Sequence, residues 1–115
     1  MFIKSISTIA AAALLSTSAF ASTVKDTMLS SWYGGYFHGR TTANGETYDM
    51  YGYTAAHKSL PFGTQLRVCY EGCVDVRIND RGPYIGSREL DLSYGAAQAI
   101  GLTHPGVDYV SFTYI

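Results

Sequence analysis

Three polar side chains have the types and settings for chemistry on a substrate: Glu46 follows the turn dipeptide Asn44-Gly45, His57 ends an apolar-rich run, and Asp80 ends another. A protonated carboxyl can donate to a leaving oxygen, and an imidazole or second carboxylate can orient the substrate or offset charge developing in the transition state. Val74, Val76 and Ile78 alternate with polar residues and face inward, and the next position on that face is Asp80, which places its carboxyl at the mouth of the sheet they build. Partial desolvation there favours the protonated acid, while neighbouring Arg81 favours the charged form. Each residue also has a plain structural role open to it. Asp80 and Arg81 can pair around the Gly82-Pro83 turn, Glu46 can be an exposed turn acid, and His57 can be a satisfied structural histidine. No paired spacing such as HxxxH links them, so neither a metal centre nor a cofactor is expected. His38 and His104 sit in Gly- and Pro-flanked loops and carry no further signal.

The elements that must position these groups are short strands. Leu66, Val68, Val74, Val76 and Ile78 alternate with polar residues on either side of Tyr70-Glu71-Gly72, which predicts a β-hairpin with a three-residue loop and Gly72 in the left-handed position. In that register 69 faces 73, 68 faces 74 and 66 faces 76, so the apolar set shares one face and Cys69 and Cys73 the other. Further strands are predicted at Ser30–Gly34, Tyr53–His57 and Val107–Ile115, the last with Val110, Phe112 and Tyr114 on one side, while Asp80-Arg81-Gly82-Pro83 breaks the pattern and Glu89–Leu92 leads up to Ser93. Residues 36–51 read as a long polar loop, and Leu60-Pro61-Phe62-Gly63 as a turn. Ser93 is placed to N-cap a short helix, Tyr94–Ile100, with Gly101 at its C-terminal end. The fold class is mainly β, a small barrel with one short helix.

The chain has 115 residues, and its opening MFIKSISTIAAAALLSTSAFA carries one Lys, a short apolar run and a small-residue end at Ala19-Phe20-Ala21. Residues 1–21 are therefore expected to be a signal peptide. The apolar run is too short to span a bilayer, and no Cys lies near the expected cut, so a soluble, exported protein without a membrane anchor is expected. Removing residues 1–21 leaves 94, room for one domain, 22–115, with a modest core. The leader contains Lys4 and no acid, so the mature balance is 7 basic against 9 acidic residues, or −2, which argues against nucleic acid as a partner. A monomer is expected. Export also predicts a disulfide between the only two cysteines, Cys69 and Cys73. The 10 tyrosines, all beyond the leader, and Trp32 suit both a small β core and a surface that stacks on sugar rings.

Taken together, Ser31-Trp32-Tyr33-Gly34, Phe37-His38-Gly39-Arg40, Thr42-Ala43-Asn44-Gly45-Glu46, Tyr48-Asp49, Thr54-Ala55-Ala56-His57, Leu60-Pro61-Phe62-Gly63-Thr64, Asn79-Asp80-Arg81-Gly82-Pro83 and Asp91-Leu92-Ser93 resemble the rare lipoprotein A (RlpA) family of septal lytic transglycosylases. The likeness covers nearly all of the mature chain, in order. It implies a six-stranded double-psi β-barrel, shared with expansins and some endoglucanases, and endolytic cleavage of peptidoglycan glycan strands. By motif match the family's catalytic Asp falls on Asp80, and its essential Glu and His on Glu46 and His57. Trp32, Tyr36, Phe37, Arg40, Tyr48 and Arg81 are the candidates for gripping sugar, with core packing an equal use for the aromatics. Which of Asp80 and Glu46 is the primary acid stays open. Two rivals share these residues: an inverting hydrolase with Glu46 and Asp80 roughly 6.5–9.5 Å apart, and an expansin-like binder that loosens glycan without cutting it. The chain departs from the family pattern in lacking a lipid-attachment Cys, in showing no glycan-binding SPOR segment after the barrel, and in its shorter, bridged hairpin loop.

Overall fold

The computed structural model describes residues 26–115; the expected signal peptide lies outside them. Six strands, β1 (Thr27–Tyr33), β2 (Thr54–His57), β3 (Gln65–Cys69), β4 (Cys73–Asp80), β5 (Leu90–Ser93) and β6 (Asp108–Tyr114), close into a barrel in the order β1-β5-β2-β4-β3-β6. One helix, α1 (Tyr94–Ile100), follows β5. Two parallel pairs, β1 with β5 and β2 with β4, are tied together by the antiparallel β2–β5, β3–β4, β3–β6 and β1–β6 ladders. Closure leaves no unpaired sheet edge, which a small isolated sheet would otherwise expose. Among the described residues no helix is long and apolar enough to cross a membrane.

The expected hairpin forms in the expected register, with Leu66 opposite Val76, Val68 opposite Val74 and Cys69 opposite Cys73. Its apolar face joins Ala55, Leu90, Leu92 and Val110 in the core, while the other face carries the Cys69–Cys73 disulfide and a bidentate Arg67–Asp75 pair. Gly72 corrects the sequence reading. It is not among the glycines with positive φ. Its value is close approach: a Cβ there would lie 3.2 Å from the Ala99 carbonyl oxygen, because the loop docks on the end of α1, where Ile100 O accepts from the backbone N–H of Glu71. Along β6 the alternation holds at Val110 but fades toward Tyr114, which is exposed at the strand's end.

Helix α1 is built as its sequence implies. The Ser93 hydroxyl oxygen accepts from Ala96 N–H, Gly101 takes φ 84° and returns its N–H to the last turn, and Ala96, Ala97 and Ile100 are buried against the barrel. Ser93 Oγ also donates to Gly52 O and accepts from Thr54 N, so one hydroxyl starts the helix and fastens the approach to β2. Gly95 lets the backbones meet, donating to Met50 O at 2.7 Å where a Cβ would lie 2.6 Å from Tyr51 O.

Candidate active site

A single register slip decides where Asp80 points. Ala55 pairs with Ile78 and Ala56 with Asp80, so β4 carries one extra residue, Asn79, at a bulge. Ile78 and Asn79 are consecutive and both buried, and Asp80 ends on the face of Ala56 rather than that of Ile78. This corrects the expectation of an acid at the barrel mouth. Ala56 alternates with core Ala55, and Asp91 with core Leu90 and Leu92, so the face they share with Asp80 is the one turned away from the core. There the wall is hollowed by a cleft of about 370 Å³ lined by Trp32, Tyr33, Phe37, Ala56, the 80–85 segment, Arg88 and Asp91.

Ala56 is the floor between two carboxyls, pairing with Asp80 on one side and Asp91 on the other. Two strand spacings put the Asp80 and Asp91 backbones about 10 Å apart, with a small side chain between them. Asp80 is held as an acceptor on both oxygens: Oδ1 takes the backbone N–H of Ala43 and of Arg81, each at 2.9 Å, and Oδ2 takes the Tyr33 hydroxyl at 3.4 Å. Asp91 accepts from Ser31 Oγ at 2.9 Å. Burial pushes its carboxyl up to about 6, helped by the negative charge of Asp80, while Ser31 and Arg88 pull the other way. Tyr33 stacks on Tyr48 with centroids 4.4 Å apart, and burial together with Asp80 raises its phenol.

Glu46 and His57 do not line this cleft. The Glu46 carboxylate forms a bidentate ion pair with Arg77 and also accepts from Asn44 Nδ2 and Asn79 Nδ2. Those hydrogen bonds, Arg77 first, hold it well below the usual carboxylate range, at about 2. The 42–46 loop it clamps is the one that delivers Ala43 N–H to Asp80, and Gly45 at φ 97° supplies its turn. His57, one residue beyond Ala56 on β2, lies on the opposite face. Its Nδ1 accepts from the backbone N–H of Ser59 and Leu60, its carbonyl accepts from Arg81 Nη1, and burial lowers its pKa.

The expected sugar contacts divide. Trp32, Phe37 and Arg81 line the cleft. Tyr36 is exposed beside it with the Arg40 guanidinium 4.4 Å over its ring. Tyr48 is a correction: it is 1% exposed, its hydroxyl donates to Tyr33 O, and its ring supports Tyr33 from below, leaving no face for a ligand. Asp91 carried no chemical assignment in the sequence reading. Its signal was present as a carboxylate flanked by Leu90 and Leu92 in a strand, a charge set into an apolar pattern. Among the described residues no cluster of His, Cys, Asp or Glu could hold a metal ion.

Fold and site together define a double-psi β-barrel with an acidic, aromatic-walled cleft on its outer face. Residues 25–112 match the lytic transglycolase family DPBB_1, and the chain belongs to that family. It is 54% identical over 86 residues to a probable endolytic peptidoglycan transglycosylase RlpA of Synechocystis, which covers 72% of this chain and 27% of that protein. To the endolytic peptidoglycan transglycosylase RlpA of Pseudomonas aeruginosa it is 53% identical over 79 residues, 66% of this chain and 23% of that one. To the Neisseria meningitidis protein of the same name it is 49% identical over 88 residues, 74% and 37%. The matched region thus spans about a quarter to a third of these curated relatives. Among solved structures, the Streptomyces papain inhibitor superposes with a TM-score of 0.63 at 20% identity, over 81% of this chain and 96% of that one, and a Clavibacter michiganensis expansin with 0.62 at 23%, over 78% and 50%. At such identities the likeness is one of fold.

Proposed function

We propose that the protein is exported behind residues 1–21 and that its barrel, 22–115, is an endolytic peptidoglycan transglycosylase. It would cleave the β-1,4 bond between N-acetylmuramic acid and N-acetylglucosamine and leave 1,6-anhydromuramic ends. Family membership and relatives named for that activity support the reaction class. The observation that carries the reading at this site is the pair of carboxyls facing one cleft across Ala56, one of them raised to about 6.

That geometry supports the following roles. Asp80 uses both oxygens as acceptors, so the proton of the general acid, left open in the sequence between Asp80 and Glu46, is better held by Asp91. Protonated Asp91 donates to the bridging oxygen as the bond to the anomeric carbon breaks. The C6 hydroxyl of the same muramic sugar then bonds to that carbon, and Asp91 takes the hydroxyl proton. One proton has moved from O6 to the leaving oxygen and no water is consumed. Asp80, on the opposite bank, faces the positive charge that develops on the ring. Glu46 and His57 act through their neighbours as positioning residues, Glu46 by holding the loop that fixes Asp80 and His57 by holding the turn at 59–60 and Arg81. Trp32 and Phe37 offer faces for sugar.

The test is mass spectrometry of purified glycan strands treated with the mature protein and with Asp91→Asn. New 1,6-anhydromuramic ends from the wild type and a loss of at least about 100-fold in the variant are expected, a general acid contributing on that order. Reducing ends would make the protein a hydrolase, binding without new ends an expansin-like module; either would overturn the reading.

A further inference from the structure

The cleft holds two guanidinium groups in different states. Arg81 is committed: Nη1 donates to the carbonyls of His57 and Asp80, and the group lies 3.9 Å over the Phe62 ring. Arg88 is half-buried in the same cleft, and its backbone is fixed at both ends, N–H to Ile85 O and carbonyl from Lys58 Nζ. Its guanidinium, however, has no hydrogen-bond or ion-pair partner among the described residues. The nearby acid is no substitute. Asp91 feels the positive charge of Arg88, but the two stay beyond ion-pair distance and Asp91 is taken up with Ser31.

We propose that Arg88 is a specificity-determining residue that binds a carboxylate borne by the glycan in the cleft. The inference rests on the peptidoglycan reading and deepens it, because it selects among glycans by charge. A neutral polysaccharide such as cellulose or chitin offers Arg88 nothing, whereas a muramic sugar carries an ether-linked carboxylate beside the ring. A guanidinium half-sheltered from water and free of internal partners matches a carboxylate with two parallel N–H donors, and a charge-assisted pair of this kind is among the stronger polar contacts. Its place next to Asp91 would set the carboxylate-bearing ring over the acid that acts on it.

The decisive measurement is binding, since it does not depend on turnover. Titration calorimetry would compare oligosaccharides of alternating N-acetylglucosamine and N-acetylmuramic acid in three forms: with free ring carboxylates, with those carboxylates converted to neutral methylamides, and with a peptide attached in amide linkage. The wild type should bind the free carboxylate about 10-fold or more tightly than the methylamide. Arg88→Gln should bind the two alike, and Arg88→Lys, which keeps the charge but not the fork, should retain part of the preference. The peptide-bearing form separates the sources: weak binding assigns the contact to the ring carboxylate, tight binding that Arg88→Gln abolishes assigns it to one on the peptide. Equal binding of all three forms by the wild type, or a preference that persists in Arg88→Gln, overturns the role of Arg88 and leaves the proposed enzyme standing. No binding to any form would sink both.

Discussion

Asp91 is placed to give up stability for chemistry. Its folded carboxyl sits near 6 against 3.8 for the free side chain, so its stabilising contribution is complete below about 3.8 and is lost as pH rises toward 6. Asp91→Asn removes the charge while leaving the oxygen that Ser31 Oγ donates to, and should therefore stabilise the fold at pH 7 by about 1–3 kcal/mol. Thermal melts should show the variant several degrees above the wild type at pH 7 and level with it at pH 3.5. Ser31, Tyr33, Tyr48, Asp80 and Arg88 lie around Asp91, and cleavage should fall above pH 6 as the acid loses its proton. Glu46 works in the opposite sense. Held at about 2 by Arg77, Asn44 and Asn79, it contributes stability above about 4.5 that is lost as pH falls toward 2. Because the pair is partly exposed, Glu46→Gln should cost only about 1 kcal/mol, yet cleavage should drop through kcat with binding little changed, since Ala43 N–H would no longer be held on Asp80. At this scale the candidate site was half legible in the chain. Asp80 was found from its place at the end of β4, but the bulge at Asn79 that turns it outward leaves no trace in an alternating pattern, and Asp91 hid inside an apolar strand.

Among the elements, α1 has the most to say about how the sequence specifies the fold. An interior Gly in a helix ordinarily costs about 1 kcal/mol relative to Ala, so Gly95→Ala would stabilise an isolated helix. Here the added Cβ would meet Tyr51 O at 2.6 Å. The variant should be destabilised by about 1–3 kcal/mol, measurable by urea unfolding; a rise in stability would show that α1 and the 50–52 segment do not touch. The caps at Ser93 and Gly101 and the pairing of β3 with β4 were readable because they depend on local residue types and on period-two alternation. Which strands neighbour one another was not, because parallel β1–β5 and β2–β4 pairing joins segments far apart in sequence whose apolar faces look alike. Gly72 was misread for a related reason: its contact with α1 is tertiary, and a local turn rule cannot see it.

For the whole molecule, the barrel keeps the cleft apart from the features that harden the shell. The Cys69–Cys73 disulfide crosslinks the outer side of the β3–β4 hairpin, and neither cysteine lines the cleft. Replacing both cysteines by serine should lower stability by about 2 kcal/mol on the chain-entropy account, read as a lower melting temperature, without changing cleavage at 25 °C. In the proposed reaction this small wall cleft performs intramolecular glycan cleavage through Asp91. Mass spectrometry of glycan strands digested by the mature protein in oxygen-18 water tests it most directly. Chain ends in the 1,6-anhydro form carrying no heavy oxygen are expected with the wild type and should be lost with Asp91→Asn; reducing ends labelled with oxygen-18, or unchanged cleavage by Asp91→Asn, would rule the reaction out.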